Sequence, residues 1–236
     1  MLKPTEIWLT RLLPGLLVAI FGIFLLQTVI ALPAQPVGLS AEVQRELPNS
    51  GVTNPVTAVL LNFRGYDTLL EIGVLLLAVV AVWSLHVAPL RSGHTRYVAE
   101  TPVLAHLVRV LAPVMVLVAG YITWIGSAQP GGAFQGGSVL AAAIVLLLLA
   151  SMIGIRPRRR WPLRVVAVLG LAVFVVIAGG TLLVGNQFLE YPRDQAYTLM
   201  LVLESFLTIS IGGTLALLFF GAIPEIASFE TMNDER

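Results

Sequence analysis

Asp67 and Glu71 stand four residues apart in "FRGYDTLLEIGVLLLAVVAVWSL", residues 63–85. On a helix that spacing puts both carboxylates on one face, one turn apart. Paired acids at the entrance of an apolar run suit the binding and release of cations or protons. At 1.5 Å per residue Glu71 lies about 6 Å deeper than Asp67. An ionised carboxylate in hydrocarbon costs several kcal/mol unless water, a cation or a partner compensates it. Asp67 also has a purely structural reading: acids favour helix N-termini, and Arg64, three residues earlier, can pair with it. Glu71, followed by an uncharged run to Ser84, fits that reading less well. Glu204, in "YTLMLVLESFLTISIGG", is a second acid inside an apolar run, with Ser205, Thr208 and Ser210 supplying hydroxyls nearby. It is either an ion or proton site or a protonated side chain bonding to a neighbouring helix. His106 and Arg109, three residues apart, are candidates for an inner proton or water path, since histidine titrates near neutral pH. The competing account has Arg109 snorkelling to the headgroups and His106 donating to a backbone carbonyl.

The segment "AQPGGAFQGGS", residues 128–138, is glycine-rich but lacks the Gly-Lys-Ser/Thr of a phosphate-binding loop. Nucleotide binding is excluded. Its glycine pairs suit close backbone approach or an unwound stretch lined by protein. With no cysteine and 3 histidines, the chain offers no disulfide, thiolate metal site or iron–sulfur ligand set, and a haem or zinc centre is improbable. No cofactor is expected. No Ser/His/Asp set and no metal-ligand spacing supports hydrolytic chemistry.

The elements that must position these residues follow from composition. Of 236 residues, 57% are hydrophobic and 11% charged, against about 25% charged in a soluble domain. The chain is an all-α polytopic membrane protein. Apolar runs of spanning length fall at about 9–32, 67–88, 103–126, 136–154, 163–185 and 197–221, predicting about six transmembrane helices. An even count puts both termini on one side. Lys3, Arg11, Arg91, Arg96, Arg156, Arg158, Arg159, Arg160, Arg164 and Arg236 share that side, while Arg45, Arg64 and Arg193 lie opposite. The positive-inside rule places both termini in the cytoplasm of a multi-pass protein of the cell inner (plasma) membrane. The first run lacks a small-residue cleavage site directly after it, "ALPAQP" being a weak imitation, and is read as a retained helix rather than a signal peptide. A net charge of +1 argues against nucleic acid as a partner.

The first outer connection, about 33–66, contains "SAEVQREL", a short helix with Ser40 as N-cap. "NPVTAVLLNF" follows it, with Pro55 suited to a first helical position. Both are too short to span and are expected at the interface. The acidic end "FETMNDER" is expected to be solvated. The connection 86–102, with Pro89, Gly93, His94 and two arginines, divides a two-helix part, residues 1–95, from a four-helix part, residues 96–236.

At this level of detail the chain becomes recognisable. "NFRGYDTLLEIGVLLLAVVAV" resembles the E-type segment of the Mrp (multiple resistance and pH) cation/proton antiporters. Its pattern, Phe-Arg-Gly-x-Asp-Thr-x-x-Glu before an apolar helix, is matched by Phe63, Arg64, Gly65, Asp67, Thr68 and Glu71. Residues from about 100 to 221 resemble the four-helix Mrp B subunit. That subunit is marked by a Pro-Gly-Gly-Gly-Phe-x-Gly-Gly segment, matched here by Pro130, Gly131, Gly132, Phe134, Gly136 and Gly137. Ala133 replaces one glycine, and Ser127-Ala128-Gln129 stands where the family often has a histidine. Glu204 occupies a place comparable to an acid common in the family's last helix.

The resemblance implies an E-type piece fused to a B-like domain, within an assembly of large antiporter-like and small membrane subunits embedded in lipid. It implies a transporter subunit rather than an enzyme. Asp67 and Glu71 would belong to a cation or proton route, with Glu204 as a further member. Arg64 and the glycine motif would be structural. Two other roles stay open. One is a subunit in the membrane arm of a redox- or other reaction-driven complex related to membrane-bound hydrogenase and respiratory complex I. The other is a non-conducting scaffold.

Overall fold

Long apolar runs bounded by glycine, proline and charge fold as helices because lipid leaves no other partner for the backbone. The computed structural model describes residues 4–32, 38–84, 102–150, 152, 161–183 and 188–220. Every regular element among them is helical. The helices are α1 (Pro4–Ile30), α2 (Ser40–Glu46), α3 (Pro55–Thr57), α4 (Gly65–Ser84), α5 (Pro102–Ile125), α6 (Ala133–Leu149), α7 (Trp161–Leu183) and α8 (Ala196–Phe220). Five contain stretches long and apolar enough to cross a membrane: Leu12–Ile30, Gly65–Ser84, Pro102–Ile125, Trp161–Leu183 and Ala196–Phe219. The remaining run, expected at 136–154, is a shorter apolar helix of 17 residues, α6.

The connections that carry much of the positive charge, including Arg91, Arg96 and residues 156–160, lie outside the described residues, as do His86, His94 and the acidic end. The division expected near residue 95 falls there too.

The chain forms two compact units, Met1–Ala41 and Glu42–Arg236. In the first, the described side chains of α1, from Leu12 onward, are all exposed. In the second, α6 packs between α5 and α8, α7 packs on the other flank of α8, and α4 lies against α7 and α8. Small residues set these distances. A Cβ on Gly137 would stand 2.7 Å from Ile211 Cγ2, and one on Gly136 would collide with the Thr123 hydroxyl. Glycine there lets α6 approach both neighbours closely. Phe174, Met200, Leu203, Leu207 and Ile211 fill the core between α7 and α8.

The segment before α4 is more continuous than its sequence suggests. Asn54 caps α3 by accepting from the Val56 N–H, and Pro55 occupies the first turn, where its missing N–H costs nothing. The chain then widens into a π-helical stretch, Ala58–Phe63, breaks at Arg64, and restarts as α4. The Thr68 hydroxyl donates to the Leu60 carbonyl at 2.6 Å across this break. The short helix expected at 54–63 is thus helical and leads directly into α4.

Candidate functional site

The acids predicted from sequence occupy two different environments. Asp67 and Glu71 on α4 line an open groove of about 700 Å³, completed by Phe134 and Ser138 of α6 and by Ile211 and Leu215 of α8. Its walls are mostly apolar. Arg64 forms a salt bridge with Asp67, so the structural reading of Asp67 describes part of what it does. Glu71 is exposed on the next turn. Among the described residues no side chain pairs with Glu71, whose carboxyl stands open to the groove.

Glu204 is 4% exposed and is not among the residues lining the groove. Its position follows from the way α6 begins. Gly132, at φ +110°, is the N-cap residue and supplies no side chain of its own. A Cβ there would be strained and would lie 2.8 Å from Glu204 Oε1. The Ala133 N–H donates to the Glu204 carboxylate. The acid from α8 thus caps α6 from across the interface, in place of the Ser, Asp or Asn usual at that position. Ala196 begins α8 eight residues earlier, so α6 starts about 12 Å below the start of α8.

Below the carboxylate, the Thr208 and Thr123 hydroxyls meet at 2.8 Å, joining α8 to α5. Thr208 also donates to the Glu204 carbonyl at 2.8 Å. Ser205 donates to Leu201 and Ser210 to Ala167. The hydroxyls near Glu204 in sequence therefore bond backbone carbonyls or, for Thr208, also the Thr123 hydroxyl.

The loop between α5 and α6 is held from above by the lead-in to α4. Asn54 Nδ2 donates to the carbonyls of Gly126 and Gln129, both at 2.8 Å. The Thr57 hydroxyl donates to the Gly126 carbonyl, and the Thr53 and Asn54 N–H groups to the Ser127 carbonyl. Gly131 and Gly132 fold back onto the end of α5, the Gly132 N–H donating to the Ile122 carbonyl at 3.0 Å. A Cβ on Gly131 would lie 2.5 Å from that same carbonyl oxygen. Pro130 leads into this turn.

His106 and Arg109 are exposed near the other end of α5. Fourteen residues separate Arg109 from Thr123, about 21 Å along the axis, so the structure does not bring them to either acid. Ser138 in the groove, Asn54 and Thr57 on the loop, and Tyr191 near the core were not singled out from sequence. The nearest signal in the sequence was Pro55, suited to a first helical position, which directly follows Asn54.

A multi-pass helical membrane protein, with one acid sealed at a helix junction and two more on an open groove, is the class this architecture defines. Residues 103–223 match the model of a family described as a domain related to the MnhB subunit of Na+/H+ antiporter, and the chain belongs to that family. It is 33% identical over 119 residues to an uncharacterized protein of Methanocaldococcus jannaschii, the match covering 42% of this chain. The chain spans 44% of the length of that relative. Two solved structures share the fold. One is a chain of the membrane-bound sulfane sulfur reductase, an archaeal respiratory membrane complex, with TM-score 0.66 and 26% identity, covering 92% of this chain and 99% of that one. The other is in the Mrp complex from Dietzia sp. DQ12-45-1b, with TM-score 0.66 and 21% identity, covering 97% of this chain and 27% of that one.

Proposed function

We propose that this chain is a membrane subunit of an Mrp-like cation/proton antiporter module, assembled with other membrane subunits in the plasma membrane, both termini cytoplasmic. Its E-type segment, carried by residues 1–95, and its B-like domain, residues 96–236, would together border an ion path. Glu71 is the exchangeable carboxylate in this reading. Asp67, held by Arg64, shapes the field beside it, and Glu204 serves as a separate buried acid. His106 and Arg109 belong to a path from the opposite side. The observation that carries the reading is the groove between α4, α6 and α8, where Glu71 stands exposed, without a partner among the described residues, nearly two turns inside a spanning helix. Such a charge persists in a membrane only where water, a cation or another subunit reaches it. Glu71→Gln is expected to abolish coupled cation/proton transport by the assembled complex while leaving its subunit composition unchanged. Transport at the normal rate in that variant refutes the assignment.

A second reading is favoured by one observation. The chain covers nearly the whole of its counterpart in the sulfane sulfur reductase but about a quarter of its counterpart in the Mrp complex. It would then serve the membrane arm of a reaction-driven respiratory complex. Purification in mild detergent separates the two: a redox-catalytic subunit in the isolated assembly supports the second, and antiporter-type subunits alone support the first.

A further inference from the structure

Among the described residues, Leu189 alone combines a side chain with a positive φ, 64°. A Cβ in that region crowds the following carbonyl, and bulky residues avoid it. Such outliers persist only where the surroundings hold them. Here α7 and α4 do so. The Leu189 N–H donates to the Thr181 hydroxyl of α7 at 3.1 Å, and that hydroxyl donates to the Ala178 carbonyl at 2.7 Å. The Leu189 side chain is 4% exposed and presses on the first residue of α4, where a Cβ on Gly65 would stand 3.2 Å from Leu189 Cδ1. At the adjoining positions the rings of Phe188 and Tyr66 meet, with centroids 5.3 Å apart.

This contact falls where α4 is least constrained by its own chain. The backbone leaves helical geometry at Arg64, so the π-helical stretch before it does not dictate the rotation of α4. Contacts from the side must. The Thr68 bond to the Leu60 carbonyl supplies one, and the Leu189 wedge supplies another. The rotation they set decides where the acid points. The buried face of α4 is formed by Gly65, Thr68, Ile72 and Val79. Glu71 adjoins Ile72, about 100° round the helix, on the flank of that face. It follows Gly65 by six residues, about 9 Å along the axis, a span over which a helix turns as one body. A roll of α4 by a fraction of that 100° takes the carboxyl off the groove it shares with Phe134 and Ser138.

We propose that Leu189 is a positioning residue for Glu71. Strained into a left-handed turn and wedged against Gly65, it fixes the rotation of α4 that keeps the carboxyl on the groove. The role of Glu71 itself rests on the transport reading, whereas its placement by Leu189 is measured without transport.

Carbodiimide labelling of Glu71 in the purified membrane complex, quantified by mass spectrometry, tests this. Leu189→Gly keeps the backbone turn and deletes the wedge, while Leu189→Met keeps an apolar side chain of similar volume. The expected result is an assembled complex in which Leu189→Gly lowers the labelling rate at least twofold and Leu189→Met restores it. A smaller fall, a faster rate, or a loss that Leu189→Met shares overturns the proposal. Slower labelling with transport at the normal rate supports the wedge and refutes the transport role of Glu71. Should Leu189→Gly fail to assemble, Gly65→Ala tests the contact from its other side. The added methyl should slow labelling when Leu189 is present and have no effect in a Leu189→Ala background. Equal effects in both backgrounds are then the overturning result.

Discussion

At the scale of single residues, this protein sorts its membrane-level acids by what each oxygen touches. Asp67 has Arg64, Glu204 has the start of a helix, and Glu71 has open space. The sequence made all three visible, because a charge inside an apolar run is conspicuous. It could not tell them apart, since the distinguishing neighbours, Gly132, Ala133 and Ser138, are remote in the chain and chemically plain. Tyr191 was invisible for the same reason: a tyrosine in a polar connection gives no sign of its burial. Its phenol carries a pH consequence. A group whose folded pKa is raised favours the fold below its unfolded value, and that contribution is lost as pH climbs toward the folded value. The unfolded phenol ionises near 10.0, so stability is expected to fall from about that pH upward. Tyr191→Phe should flatten this alkaline limb while leaving neutral-pH stability little changed. Thermal unfolding of the purified assembly as a function of pH measures it.

At the scale of elements, the spanning helices were legible because run length maps directly onto helix length in a bilayer. Where α6 begins was not. Its expected start near residue 136 is Ala133 in the structure, because the first turn is fixed by an acid on α8 and by backbone contact with α5, neither written locally. The segment 54–63 is helical as expected, as α3 and a π-helical stretch, and the structure adds that this stretch contacts α4. Asn54 is the most economical place to test that arrangement. Replacing it with alanine removes two donors to the α5–α6 loop and the cap of α3, an expected loss of about 1–3 kcal/mol. Hydrogen exchange should rise across residues 126–132 and stay unchanged in α7. Exchange that remains slow in the loop would show that the glycine turn supports itself.

At the scale of the whole molecule, composition and the length of the apolar runs mark a chain built for a membrane. The structure adds how segments remote in sequence are joined. Six hydrogen bonds, from Thr53, Asn54 and Thr57 to the carbonyls of Gly126, Ser127 and Gln129, connect residues some seventy positions apart, and α4 lies against α7 and α8. The chemistry assigned to Glu71 depends on that union, since its groove takes walls from α4, α6 and α8.

That strap of amide and hydroxyl groups has an evolutionary corollary. A polypeptide whose front half is buckled to its rear half need not be one polypeptide. Cutting the backbone between α4 and α5, or expressing residues 1–90 and 91–236 as two genes, should yield fragments that find each other in the membrane and migrate together through detergent. The Asn54→Ala strap variant should weaken that reunion. Fragments that separate on solubilisation would mean that covalent continuity, rather than the buckle, holds the halves in register.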